Sequence, residues 1–190
     1  AIIFVSGINL FLFTISLSAV CLFTLILVFL VPKFEYIRIR LTSFLDTSSG
    51  NNYQADKASD AISSGGFFGK GIGEGTLNSK IPEAHTDFII SVISEEFGII
   101  IILLIMLGFI SFAYNVFKKI RDTHDNIFKM ILIGLISLLM MQAFVHVGVN
   151  LQVLPTTGMT LPYLSYGGSS IISISIISGI ILNLTKRRVY

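Results

Sequence analysis

Four long apolar segments constrain this chain of 190 residues more than any other feature. They cover residues 10–31, 97–117, 128–151 and 169–184. A helix of about 20 apolar residues crosses the hydrocarbon core of a bilayer. Only 13% of the residues are charged, whereas soluble domains have roughly 25%. We therefore predict an all-α polytopic membrane protein with about four transmembrane helices.

Basic residues flank the apolar segments unevenly. Those between the second and third segments and after the fourth are Lys118, Lys119, Arg121, Lys129, Lys186, Arg187 and Arg188. Because cytoplasmic loops carry an excess of Lys and Arg, both regions are predicted to be cytoplasmic. Residues 32–86 then form a long outer loop, and 155–168 lie on the same face. The net charge of +2 is too small to indicate a nucleic-acid partner.

The predicted outer loop has three parts. Residues 34–45 interleave apolar and charged side chains, which is typical of an amphipathic stretch at a membrane interface. Residues 48–60 are polar and rich in turn formers, so we predict a mobile, irregular segment. Residues 65–75 hold a glycine cluster without the spacing or the preceding strand of a phosphate-binding loop. This cluster, with Phe67 and Phe68, is either an ordinary glycine-rich loop or a segment that enters the interface.

The run Pro82-Glu83-Ala84-His85-Thr86-Asp87-Phe88 places a carboxylate where the outer loop meets the second apolar segment. An ionisable group near hydrocarbon is costly, which indicates a functional site. The alternative is that Thr86 or Asp87 caps the helix that follows. In an extended segment, Glu83, His85 and Asp87 would point the same way. They could then supply ligands to Mg²⁺ or Mn²⁺.

Polar residues recur in the third and fourth segments. Gln142, His146 and Asn150 share one helical face, either as interhelical hydrogen-bonding groups or as the lining of a polar cavity. The prolines and glycines of residues 154–168 exclude a regular helix there. Ser165, Ser169 and Ser170 are not convincing nucleophiles, because no histidine and carboxylate pair is placed to activate them.

Together these segments resemble the SEDS family of bacterial membrane glycosyltransferases, the FtsW/RodA/SpoVE family. The resemblance is carried by 82–88, by Glu95-Glu96-Phe97-Gly98, by Leu154-Pro155-Thr156-Thr157-Gly158, and by 161–170 with its Ser165-Tyr166-Gly167-Gly168-Ser169-Ser170. Ala84 and Thr160 look more like the division member, FtsW, than the elongation member. Two residues depart from the family pattern: His146 stands where Asn is usual, and Gln152 where glycine is common.

The resemblance implies the carboxy-terminal part of a bundle of about ten spans, with the amino-terminal half missing. It also implies a peptidoglycan glycosyltransferase that polymerises lipid II on the outer face of the bacterial cytoplasmic membrane during cell division. Asp87 matches the catalytic aspartate of the family. A lipid diphosphate leaves without protonation, so one carboxylate, acting as general base on the acceptor hydroxyl, is sufficient.

Further expectations follow from the resemblance. Substrate-binding candidates are Arg38, Arg40, Lys70, Lys80, Glu83, His85, Ser165, Gly167, Gly168 and Ser169, of which the four basic residues could contact the diphosphate. A divalent cation, Mg²⁺ or Mn²⁺, is a possible cofactor. Expected partners are a class B penicillin-binding protein transpeptidase and other division proteins. Two alternative functions are a lipid II flippase and a non-catalytic division scaffold.

Overall fold

The computed structural model describes residues 9–45, 53–81, 83–123 and 125–186. It divides the chain into two compact units, Ala1–Asn52 and Tyr53–Tyr190. Every regular element in the described residues is a helix, which confirms the all-α prediction. The four predicted spans are confirmed as well, because four helices in this part of the chain are long and apolar enough to cross a membrane.

The first unit contains one spanning helix and one amphipathic helix. Helix α1 covers Leu10–Leu30, a short 3₁₀ turn covers Pro32–Phe34, and helix α2 covers Glu35–Leu45. Asn9 caps α1, since its side chain accepts a hydrogen bond of 3.1 Å from the Phe11 amide. Helix α2 coincides with the predicted amphipathic stretch. Its position at a membrane interface stays a prediction.

The second unit contains six helices in its described residues. They are α3 at Tyr53–Gly65, α4 at Leu77–Lys80, α5 at Ile89–Phe97, α6 at Ile99–Asp122, α7 at Asn126–Asn150 and α8 at Gly168–Thr185. Helices α6, α7 and α8 are the spans of this unit. Helix α7 lies at their centre, and Leu132, Ile136 and Leu139 on it are fully buried.

The prediction of an irregular segment at residues 48–60 is wrong from Tyr53 onward, and 48–52 lie outside the described residues. Helix α3 packs on α5 through three small buried residues, Ala58, Ala61 and Gly65. A Cβ on Gly65 would overlap the main-chain carbonyl of Ser94, so the two backbones touch directly. This helix contact could not be predicted from the sequence, because alanine and glycine in a polar segment do not produce a recognisable apolar helix face.

The second apolar segment is also organised differently from the prediction. The turn that carries Asp87 leads into the short helix α5, and the spanning helix α6 begins only at Ile99. Gly98 separates the two helices with φ of 81° and ψ of 175°. Five residues of α5 are buried, namely Ile90, Ser91, Val92, Ser94 and Glu95. The proposed site therefore rests on a buried helical turn in front of the membrane span.

Candidate functional site

The residues before α5 form a tight turn and not the extended segment that was predicted. The amides of Thr86 and Asp87 both donate to the Glu83 carbonyl oxygen, at 3.2 and 3.1 Å. Thr86 Oγ1 donates to the same oxygen at 3.0 Å. Glu83 and His85 are exposed, whereas Thr86 and Asp87 are half-buried. The turn removes the regular alternation on which the three-ligand metal prediction rested.

The N-cap position of helix α5 is occupied by neither Thr86 nor Asp87. Its N-cap residue is Phe88, whose side chain makes no capping hydrogen bond. Phe88 is instead buried in the core between α3 and α5, at 1% exposure. A capping role at the N-cap position therefore does not account for Thr86 or Asp87 in this turn.

Asn150, the last residue of α7, makes hydrogen bonds to the Asp87 turn and to α5. Its Nδ2 donates to the main-chain carbonyl oxygen of Asp87 at 3.0 Å and to that of His146 at 2.9 Å. Its Oδ1 accepts hydrogen bonds from the Ser91 amide at 3.1 Å and from Ser91 Oγ at 2.8 Å. Asn150 is fully buried, so these bonds satisfy a polar side chain that water does not reach.

The segment after α7 supports the same turn from a second side. Ser165 Oγ donates to the Thr86 carbonyl oxygen at 2.8 Å and accepts from the Leu161 amide at 2.8 Å. The Tyr166 amide donates to the His85 carbonyl oxygen at 3.1 Å. Ser165 is buried, and its hydroxyl acts here as a brace between two loops.

The same connection between α7 and α8 also approaches the Asp87 carboxylate itself. Asp87 Oδ2 lies 3.5 Å from the position that a Cβ on Gly158 would occupy. Gly158 ends the Leu154 to Gly158 segment, so three of the segments that carried the family resemblance, 82–88, 154–158 and 161–170, meet at the turn that holds Asp87. We regard this convergence as the main feature of the site.

The polar face of α7 makes hydrogen bonds to these loops. Gln142 Nε2 donates to the Thr160 carbonyl oxygen at 2.9 Å, and Thr160 Oγ1 lies 2.7 Å from Ser170 Oγ. His146 is buried, with Nδ1 3.4 Å from Asn150 Nδ2. The structure thus shows the hydrogen-bonding alternative for Gln142 and Asn150, whereas the His146 contact lies within α7.

The remaining small residues of the predicted site lie at the start of α8. Gly167 is the N-cap residue, and a Cβ on it would be 3.4 Å from Thr160 Cγ2. Gly168 and Ser169 form the exposed first turn of the helix, and a Cβ on Gly168 would meet no atom within 4 Å. Space for a ligand group therefore exists at Gly168.

A buried ion pair fixes the glycine-rich loop next to the site. Lys70 Nζ lies 2.8 Å from Glu95 Oε1, and the Glu95 side chain is only 2% exposed. Thr76 Oγ1 donates to Oε1 at 3.1 Å and the Leu77 amide to Oε2 at 3.0 Å. Burial acts to raise the pKa of Glu95, but Lys70 and the donors of Thr76 and Leu77 outweigh it and lower that pKa from 4.5 to about 2.

The other basic candidates have different surroundings. Lys80 is exposed, and its Nζ donates to Thr76 Oγ1 at 3.0 Å. It lines a cavity of about 150 Å³ together with Lys57, Lys70 and Glu95. Arg38 lies in the first unit, 3.0 Å from Glu35. Arg40 is exposed on the same helix.

The residues that the structure describes include no group of three His, Cys, Asp or Glu side chains that could hold a metal ion. The three-residue set of Glu83, His85 and Asp87 is therefore not assembled, and the divalent cation stays a prediction.

A family model described as a cell cycle protein, and named for FtsW, RodA and SpoVE, matches residues 1–190. The chain belongs to the FtsW/RodA/SpoVE family. The family resemblance that the sequence motifs indicated is thereby confirmed over the whole chain.

Curated relatives in this family carry a common name. The chain is 36% identical over 155 residues to the probable peptidoglycan glycosyltransferase FtsW of Caulobacter vibrioides, covering 82% of this chain and 40% of that protein. A protein of the same name from Francisella salina is 37% identical over 189 residues, covering 96% of this chain and 46% of that protein. The chain thus spans less than half the length of these relatives.

A solved structure shows the same fold. One chain of a peptidoglycan synthase complex, described as coordinating polymerization and crosslinking, matches with a TM-score of 0.71 and 28% identity. The match covers 97% of this chain and 51% of that chain.

Sequence reasoning missed two members of the site that this family fold assembles. Ser91 and Glu95 lie in an apolar helix, and nothing in the sequence indicates their partners. Asn150 was recognised as part of a polar face, but not as a support for Asp87. The sequence feature that could have drawn attention to Glu95 is its place in the segment Glu95-Glu96-Phe97-Gly98, which is part of the family resemblance.

Proposed function

We propose that the chain forms the acceptor-activating part of a peptidoglycan glycosyltransferase that polymerises lipid II during cell division. The observation that carries the proposal is the convergence on Asp87. Asn150, Ser165 and Tyr166 hold the turn through its main chain, while the half-buried carboxylate lies beside Gly158. Membership of the family and the name shared by the relatives support an enzyme of this class.

In the proposed reaction, Asp87 acts as general base. The oxygen of the acceptor hydroxyl forms a bond to the anomeric carbon of the lipid-linked sugar, and its proton passes to the Asp87 carboxylate. The bond from that carbon to the diphosphate breaks with inversion, and the diphosphate leaves with the electron pair. Because this leaving group is a weak base, no second carboxylate is needed to protonate it.

A rigid turn suits this role. Proton transfer requires a heavy-atom distance of about 2.6–3.2 Å between base and hydroxyl in the reactive complex. Hydrogen bonds from outside the turn and within it fix the backbone on both sides of the carboxylate. They are accepted by four main-chain carbonyl oxygens, those of Glu83, His85, Thr86 and Asp87. The carboxylate position is then set before substrate arrives, which lowers the cost of reaching the reactive geometry.

Among the predicted diphosphate contacts, Lys80 is the better of the two lysines in this unit. The Lys70 ammonium is paired with Glu95 inside the protein, so much of its charge is already compensated. Lys80 is exposed and its hydrogen-bond partner in the structure is the neutral Thr76 hydroxyl. Arg38 and Arg40 stay predictions as diphosphate contacts.

We place the active site on the outer face of the bacterial cytoplasmic membrane. The basic residues at the end of α6 and after α8 support this orientation through the positive-inside rule. A transpeptidase of the class B penicillin-binding type is the proposed partner, in line with the neighbouring structure of a complex for polymerization and crosslinking.

The decisive experiment is polymerisation of lipid II by the full-length protein carrying Asp87→Asn. We expect loss of polymer with retained membrane insertion and lipid II binding. Asp122→Asn, a matched change at the exposed far end of α6, should polymerise normally. Normal polymer from Asp87→Asn would disprove the general-base role, and movement of lipid II between leaflets without any polymer would favour the flippase alternative.

The same assay tests the divalent cation. Treatment of the wild-type protein with a chelator, followed by Mg²⁺ or Mn²⁺, should abolish and restore polymer if the cation takes part. Full activity after chelation would remove the cation from the proposal.

A further inference from the structure

Two adjacent phenylalanines form an exposed apolar tip on the glycine-rich loop. Phe67 is 73% exposed and Phe68 is 85% exposed, the highest value among the large apolar side chains that the structure describes. A single exposed apolar residue needs no explanation, but two side by side on one loop form a patch that indicates an interaction surface. The proposed reaction uses neither residue.

The tip is held firmly by hydrogen bonds on both sides. The Ile99 amide donates to the Gly66 carbonyl oxygen at 3.0 Å, immediately before Phe67. The Lys70 amide donates to the Glu95 carbonyl oxygen at 2.8 Å, two residues after Phe68. The ion pair between Lys70 and Glu95 adds a side-chain link between this loop and α5. The exposure of the two rings is therefore a built feature of the fold.

These contacts also place the tip at one end of a membrane span. The Phe67 carbonyl packs against Gly98, the residue directly before α6. From Ile99 to Phe117, helix α6 contains no charged residue. At 1.5 Å per residue, this stretch is roughly 28 Å long, close to the hydrocarbon thickness of about 30 Å. Ile99 thus lies near the boundary between hydrocarbon and headgroups.

The surface of α6 continues the apolar surface of the tip. Exposed large apolar residues run along this helix at Ile99, Ile100, Leu103, Leu104, Leu107 and Ile110. The chemistry of such a surface suits contact with lipid, and aromatic side chains are enriched where spanning helices meet the membrane interface. The chemistry of the tip therefore matches the ester and upper acyl region of a lipid leaflet.

We propose that Phe67 and Phe68 insert into the membrane interface and contact lipid at the level where α6 enters the bilayer. This contact anchors the glycine-rich loop, and through the Lys70 to Glu95 pair it fixes the depth of α5 relative to the membrane. The proposal does not depend on the polymerase activity, because it concerns only a contact with lipid.

The chain offers a clean probe because it contains no tryptophan. Phe68→Trp adds one indole at the tip of the full-length protein, and its emission is measured as the difference from the unsubstituted protein. Phe67→Trp serves as the second variant if the first does not fold. Leu107→Trp, on the exposed face in the middle of α6, reports the hydrocarbon core. Tyr53→Trp, at the exposed start of the polar helix α3, reports water.

Each variant is reconstituted in vesicles of phosphatidylcholine and phosphatidylglycerol. The phosphatidylcholine is brominated either near the glycerol end of its acyl chains or near their middle. We expect blue-shifted emission from Phe68→Trp, with stronger quenching by the shallow bromines than by the deep ones. Leu107→Trp should show the reverse order, and Tyr53→Trp should be quenched only by aqueous iodide.

Two results would overturn the proposal. Red-shifted emission from the tip, quenched by iodide but not by brominated lipid, would place the loop in water. Blue-shifted emission that neither quencher affects would mean that protein covers the tip, either another part of the full-length protein or a bound partner.

Discussion

The side-chain amide of Asn150 donates a hydrogen bond of 3.0 Å to the main-chain carbonyl oxygen of Asp87. This bond joins the C-terminal end of the central span α7 to the turn that carries the proposed general base. The same side chain also binds Ser91 on α5. One buried amide therefore ties the turn, the short helix and the membrane span together, and the position of the carboxylate depends on it.

Replacing Asn150 should impair catalysis more than binding. Asn150→Asp keeps the acceptor for Ser91 but cannot donate to Asp87, so the turn loses its support. We expect kcat for lipid II polymerisation to fall about 10-fold to 100-fold with little change in KM, because a small displacement of a catalytic group has effects of that size. Steady-state kinetics on the full-length protein measure both constants.

Two further variants separate this role from a general loss of stability. Ser91→Ala removes one bond to Asn150 and leaves its bond to Asp87, so it should lower kcat less than Asn150→Asp does. Ser137→Ala on the same helix removes only a bond to Ile133 within α7, and it should polymerise normally. If Asn150→Asp changes KM and kcat equally, Asn150 does not act by positioning Asp87.

The buried pair of Glu95 and Lys70 should make folding sensitive to acid. The pKa of Glu95 is about 2 in the folded protein, whereas a glutamate without these contacts has a pKa of 4.5. A lowered pKa contributes stability above pH 4.5, and this contribution is lost as the pH falls from 4.5 towards 2. We expect thermal unfolding in detergent to show this loss for the wild type and not for Glu95→Gln.

At neutral pH, Glu95→Gln should lower the free energy of unfolding by about 1–3 kcal/mol, since it removes the charge from a hydrogen-bonded pair whose Lys70 side chain is 35% exposed. Glu96→Gln changes the neighbouring, half-buried carboxylate and is the matched control, with an expected effect within about 0.5 kcal/mol. Equal effects of the two variants would contradict the central role of Glu95 in the loop.

The four spans could be predicted from the sequence because each is an uninterrupted apolar run of the right length. Helix α3 could not, since its buried face consists of Ala58, Ala61 and Gly65 in an otherwise polar segment. Helix α5 could not be separated from α6 either. The apolar pattern runs through both helices, and only the backbone of Gly98 marks the break.

The candidate site shows the same division between local and long-range information. Asp87 was predicted through the motif around it, which lies within a few residues in the sequence. The hydrogen bond from Asn150 to Asp87 joins two residues that are 63 positions apart in the sequence. The periodic polar face of α7 indicates that Asn150 has a hydrogen-bond partner, but it does not indicate which residue that partner is. The turn at residues 83–87 formed because Glu83 offers one carbonyl oxygen to three donors, a local preference that competes with extended structure.

Gln152 occupies a position that favours glycine. Its φ is 56°, and it follows α7 in a C-terminal cap with hydrogen bonds from Val153 to Gly148 at 2.8 Å and from Gln152 to Val149 at 3.1 Å. We expect Gln152→Gly to be more stable than Gln152→Ala by about 1 kcal/mol, because only glycine adopts this conformation without strain. Thermal unfolding of both variants in detergent tests this.

The wild type should lie between them, because Gln152 Nε2 also donates to Asp56 Oδ1 at 3.3 Å, an exposed bond that both variants lose. Equal stability of the glycine and alanine variants would show that the backbone at this position relaxes without cost.

Gly98 should be intolerant of any side chain. Its φ of 81° strains other residues, and a Cβ would overlap the Phe67 carbonyl oxygen. We expect Gly98→Ala to lower the free energy of unfolding by about 1–3 kcal/mol and to raise hydrogen exchange in the glycine-rich loop. The matched control is Gly108→Ala within α6, where a Cβ meets no atom within 4 Å and helix propensity improves by about 1 kcal/mol. If the two variants behave alike, the contact between the loop and the start of α6 is not a determinant of stability.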